Sequence, residues 1–72
     1  MKAKDVIKKV MSEKEITQIM ITEMMGMQSQ SAVSGALNRD MKISTLNRFL
    51  SALDCELVIR DTKTNAEYTV ED

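Results

Sequence analysis

Seventy-two residues make one small domain, and a chain of that length buries only about 60% of the surface its unfolded form exposes. One cysteine and no histidine exclude an internal disulfide, leave too few soft ligands for a zinc cage, and remove the commonest general base. The net charge of −1 hides a split: residues 1–49 carry eight Lys or Arg against five acids (+3), residues 50–72 two against six (−4).

Residues 3–12 set Val6, Ile7, Val10 and Met11 on one side and lysines on the other, the pattern of an amphipathic helix. The pattern restarts at Ile16-Thr17-Gln18. Thr17 is a natural N-cap, and Ile16 before it can pack on Ile21 as a hydrophobic staple. Ile21, Met24 and Met25 extend this second helix to Gly26, the expected left-handed stop. After the polar turn Met27-Gln28-Ser29, Ser29 caps a third helix from Gln30 to about Asn38, with Val33, Ala36 and Leu37 inward. Asn38-Arg39-Asp40 reads as a helix end and loop. Ser44 is then expected to cap a fourth helix, with Leu46, Phe49, Leu50 and Leu53 at i, i+3, i+4 and i+7.

After Asp54 the hydrophobic period drops from near 3.6 to 2. Residues 56–60 and 66–70 are β-prone runs, and the polar residues 61–65 between them predict a hairpin with a five-residue loop. A hairpin alone is barely stable in water, so it is expected to pack on the helices or pair with another strand. The whole is a mostly α (α+β) fold: one domain over residues 1–72, with four to five helices over about 3–54 and a C-terminal β-hairpin over about 56–70.

No apolar run approaches the ~20 residues of a transmembrane helix, and the basic N-terminus lacks the apolar stretch of a signal peptide. A cytoplasmic protein without a membrane partner is therefore expected. An enzyme is not: histidine, a nucleophile–base pair and a phosphate-cradling glycine loop are all missing. Seven methionines at mostly helical core spacing read as core filling. Cys55, flanked by Asp54 and Glu56, reads as a small buried apolar residue.

Two short helices joined by Gly-plus-polar residues, the second opening Gln-Ser-Ala-Val-Ser, form a helix-turn-helix signature. The outward side of the second helix carries short polar side chains, sized to meet base edges in a major groove. Here the chain resembles the Cro/repressor (XRE-like) helix-turn-helix family of phage and bacterial regulators, over roughly residues 15–55. Thr17-Gln18, Ile21, Met25 and Gly26 fall at the family's positions for its first helix. Residues 30–38, QSAVSGALN, look like a Cro-type recognition helix, and Thr45-Leu46 through Ala52-Leu53 look like the core helix that follows. Thr22 stands where the family usually has Ala, so its hydroxyl needs a partner. The turn from Gly26 to Val33 is one residue longer than the family norm, with the insertion near Gln28. Gly35 stands where relatives often carry a long base-reading side chain.

The resemblance implies that Gln30 meets phosphate or an adenine edge, that Ser31 and Ser34 face bases, and that Thr17 and Gln18 meet a backbone phosphate. Gln28 and Ser29 belong to the same expected DNA-binding set. Independently of any family, Asn38, Arg39 and Lys42 lie just beyond the recognition helix, where further phosphate contacts are expected. The expected function is a sequence-specific double-stranded DNA-binding regulator, a phage or mobile-element repressor. It would act as a homodimer on a palindromic operator, occupying promoter DNA and excluding polymerase. No cofactor and no small-molecule effector are implied. Leu57, Ile59, Tyr68 and Val70 of the hairpin are the expected dimer contacts. The rival expectation is an antitoxin-like or inhibitor protein that keeps the scaffold but binds a protein; its DNA affinity would show no counterion-release slope.

Overall fold

The computed structural model describes residues 1–71 and shows four helices followed by a two-stranded antiparallel hairpin. In chain order these are α1 (Ala3–Glu13), α2 (Gln18–Met24), α3 (Gln30–Leu37), α4 (Ile43–Ala52), β1 (Val58–Arg60) and β2 (Glu67–Thr69). Helix α3 packs on both α1 and α2, and α4 packs on α1.

The core follows from the apolar periodicity. Phe49, Ile7, Ile21, Leu37, Leu53 and Val33 are fully buried, joined by Met11, Ala36 and Leu50. Val6, expected inward, stays 39% exposed, because Ile7 and Met11 one turn apart already fill that side of α1. The methionines divide. Met11 is buried and Met25, Met27 and Met41 pack against the core, whereas Met1, Met20 and Met24 face outward. Cys55 is half-buried rather than buried.

Three helices end in the same way. Ile16 N–H reaches Met11 C=O (2.8 Å), Met27 N–H reaches Thr22 C=O (3.0 Å) and Cys55 N–H reaches Leu50 C=O (2.8 Å). The residues just before these donors, Glu15, Gly26 and Asp54, have φ of 58°, 66° and 57°. Each is a left-handed stop with the six-to-one bond of a Schellman cap. In each, the residue after the stop (Ile16, Met27, Cys55) packs against the core. Only the middle stop was legible as a glycine.

The helix starts are less uniform. The side chains of Thr17 and Ser29 accept from Met20 N–H and Ala32 N–H, as expected of N-caps. The fourth helix corrects its expectation. It begins at Ile43 with Lys42 in the cap position, because Lys42 C=O already accepts from Leu46 N–H at 2.9 Å; Ser44 thus lies inside the first turn. Thr22 is buried, and its hydroxyl donates to Gln18 C=O at 2.6 Å, so the polar residue at that crossing is satisfied.

The strands pair Val58 with Thr69, Ile59 with Tyr68 and Arg60 with Glu67. Asp61 N–H also bonds Ala66 C=O (2.9 Å), so the tip shrinks from the expected five residues to 62–65, closed by Asn65 N–H to Asp61 C=O (2.7 Å). Asn65 takes φ of 62° there, and Asp61 Oδ1 accepts from Lys63 N–H at 2.9 Å. The hairpin joins the helical body at its root. Leu57 packs against the core, and Asn47 Nδ2 donates to Val70 C=O at 3.2 Å. Beyond that root every strand residue is exposed. The radius of gyration is 12.9 Å, with extents of 42 × 23 × 19 Å, against about 11 Å for a compact chain of this length. The strands project from the body, so of the two expected supports for the hairpin, packing on the helices is confined to its root.

Candidate nucleic-acid interface

Helix α3 buries Val33, Ala36 and Leu37 and turns its other side outward. Gln30, Ser31 and Ala32 are exposed, Ser34 and Gly35 half-exposed, and Asn38 and Arg39 exposed. Spacings of three and four residues put Ser31, Ser34 or Gly35, and Asn38 along one strip of the helix. Every side chain before Asn38 on that strip is short and uncharged, apart from the longer Gln30 at its start. Ala32 was absent from the expected set. A methyl group at this position is suited to contact a thymine methyl.

The polar side chains on this strip are partly committed to the protein. Ser29 Oγ caps α3 by accepting from Ala32 N–H at 3.3 Å and lies 3.1 Å from Ser31 Oγ. Asn38 Nδ2 donates to Ser34 C=O at 2.8 Å, folding its amide back over the last turn. Thr17 Oγ1 is likewise engaged as the cap of α2 at 3.2 Å. Gln18 is half-buried and Gln28 exposed. Among the expected residues, Gln28, Gln30, Arg39 and Lys42 therefore carry the longest exposed side chains.

Gly35 is explained by what surrounds it. A Cβ there would meet Arg39 Nη2 at 3.9 Å, an ordinary contact, and nothing nearer. No neighbouring helix demands a glycine. The same distance places the Arg39 guanidinium beside the outward surface of α3 rather than downstream of it. Arg39 and Lys42 also line a cleft of about 340 Å³ with Ala36, Asp40, Met41 and Thr45, beside the first turn of α4. The lining carries two cations, Arg39 and Lys42, against one carboxylate, Asp40, and lies beside a helix start, the end that favours anions.

A second residue, besides Ala32, was missing from the expected set. Lys8 of α1 donates from Nζ to Asn38 Oδ1 across 3.4 Å, which brings a third cation to the end of α3. Thirty residues of chain separate the two, so only the packing of α1 on α3 reveals it.

A larger open groove, about 650 Å³, lies where the end of α2, α4 and the hairpin root meet; Met24, Met25, Cys55, Leu57 and Arg48 are among its lining. No α3 residue borders it, so it is separate from the polar strip. Among the described residues, no helix is long and apolar enough to cross a membrane, and no group of three or more His, Cys, Asp or Glu could hold a metal ion. Comparisons with protein-family models, curated proteins and solved structures each find no match for this chain.

Proposed function

We propose that this chain is a sequence-specific double-stranded DNA-binding regulator of the helix-turn-helix type, similar to Cro-like repressors of phages and mobile elements. It binds as a homodimer to a palindromic operator and represses by occupying promoter DNA. The observation that carries the reading is the outward strip of α3, made of small and polar side chains, with Lys8, Arg39 and Lys42 around its C-terminal end. Small side chains let the helix backbone sink into a major groove, and the flanking cations meet phosphates. Gln30 and Gln28 carry the longest uncharged side chains and read bases or anchor the backbone. Ser31, Ala32 and Ser34 contribute short contacts. Direct readout from such a strip is thin, so two half-sites about 34 Å apart supply the specificity that one lacks.

Selection of bound sequences from random DNA tests this reading. A palindromic consensus is expected, and Gln30→Ala should relax one position of each half-site if Gln30 reads a base. Affinity should fall with salt at a log–log slope of about −0.9 per phosphate neutralised. Enrichment of no sequence, together with a flat salt response, would overturn the proposal.

A second reading has an observation of its own. Ile19, Met20 and Met24 of α2 are 59%, 44% and 49% exposed, an unusual apolar load for a seven-residue helix. An antitoxin-like or inhibitor protein would use such a surface to hold a protein partner. Ile19→Lys separates the readings: it should leave DNA affinity intact in the regulator and abolish function in the inhibitor.

A further inference from the structure

We propose that two copies of this chain join along the outer edge of β1, antiparallel, about a two-fold axis at Val58. The hairpin's own hydrogen bonds fix which residues are free to do this. Val70 N–H donates to Leu57 C=O (2.7 Å) and Asp61 N–H to Ala66 C=O (2.9 Å), so residues 57, 59 and 61 turn their backbone groups toward β2. Alternate residues in an antiparallel ladder turn theirs the other way. Glu56, Val58 and Arg60 therefore present N–H and C=O outward, and among the described residues the sheet has no third strand to receive them.

A bare edge of this kind is a template for another chain. What selects the partner is the side-chain order Glu56-Leu57-Val58-Ile59-Arg60, which is complementary to its own reverse. With the axis at Val58, Glu56 faces the partner's Arg60, Leu57 faces the partner's Ile59, and Val58 faces its own copy. The facing positions 56, 58 and 60 are the ones whose backbone groups point outward, so charge pairing and backbone hydrogen bonding agree on the register. Moving the axis by one residue sets Glu56 or Arg60 opposite the partner's Val58. Moving it by two sets Glu56 opposite the partner's Glu56, or Arg60 opposite the partner's Arg60. The outer edge of β2 offers no such match, since Glu67, Thr69 and Glu71 include two acids and no cation.

The same pairing accounts for the exposure of Ile59 and Tyr68. Leu57, Ile59, Tyr68 and Val70 share one face of the sheet by alternation and by register. Ile59 and Tyr68 are each 62% exposed. In the joined sheet a row forms across four strands: Tyr68, Ile59, the partner's Leu57 and the partner's Val70. Its two-fold mate lies beside it. Interfaces of this isologous type make every contact twice.

The proposal rests on the paired half-site reading above, but its test contains no DNA, so the two fail separately. Sedimentation equilibrium of the full chain should show a dimer. Glu56→Arg and Arg60→Glu should each raise the dimer dissociation constant about tenfold or more, because each sets two like-charge pairs across the strands. Helical circular dichroism should be unchanged, as both side chains are exposed. Mixed in equal amounts, the two variants should dimerise more tightly than either alone, as should a chain carrying both changes, each falling short of wild type only by the cost of setting a glutamate at position 60 opposite Glu67 of its own hairpin. Val58→Pro removes an outward N–H without touching a bond inside the hairpin and should give monomers. A monomeric wild-type chain up to millimolar concentration, single variants that still dimerise, or a mixture that dimerises no more tightly than either variant alone would each overturn the proposal.

Discussion

Glu15 sits at φ 58° in the position that Gly26 fills at the end of α2, and a side chain in that conformation costs roughly 1 kcal/mol or more. Glu15→Gly should therefore stabilise the domain by about 1 kcal/mol, and Gly26→Ala should destabilise it by a similar amount, both read from thermal or denaturant unfolding. Gly35 behaves differently, since its helix has room for a methyl group. Gly35→Ala should raise stability by about 1 kcal/mol through helix propensity. Operator affinity should fall, because the added methyl occupies the surface offered to DNA; a variant that is both more stable and as tight a binder would remove Gly35 from the interface. Lys8→Ala should weaken binding to all sequences alike and lower the salt slope by about one phosphate equivalent. Thr17, Ser29 and Gly26 were legible in the sequence because each residue type has one strong local use. Glu15 and Asp54 were not, because a carboxylate side chain does not announce a left-handed stop. The apolar residue after each of them was the available signal. Lys8 was illegible for another reason: its meeting with Asn38 depends on how α1 packs on α3.

At the level of elements, the four helices came out where the apolar spacing put them, with α4 starting one residue before Ser44. That spacing is set by burial, which local chemistry at a helix start overrides only at its ends. The strands came out shorter than the β-prone runs, because propensity extends over residues 56–60 while regular pairing begins only at Val58. Sequence alone could not show that the hairpin projects. Its attachment includes Asn47 of α4, reaching Val70 C=O at 3.2 Å, and Leu57, packed against the core. Asn47→Ala should cost about 1 kcal/mol. Hydrogen exchange at the Ile59 and Tyr68 amides should accelerate more than exchange at Leu37 or Phe49, whose helices keep their own packing. Equal acceleration throughout would mean that the hairpin and helices open as a single unit.

Across the whole molecule, the polar strip on α3 proposed to meet DNA and the outer edge of β1 belong to separate parts, a helical body and a strand pair joined at its root. Division of labour follows: changes at Gln30 or Arg39 should alter DNA binding at unchanged dimer affinity, and changes at Glu56 or Arg60 the reverse, which sedimentation and DNA titration on the same variants will separate. The slender hairpin has a further consequence for how the protein responds to its own abundance. In the proposed dimer, strands with so little support from the body would gain order when a second copy supplies the missing neighbours, linking folding of this region to encounter between copies by mass action. Dilution would then act on the strand pair much as a mild denaturant does. A cell making little of this protein would hold it with a frayed tail and separated reading heads, and a modest rise in synthesis would tighten both together.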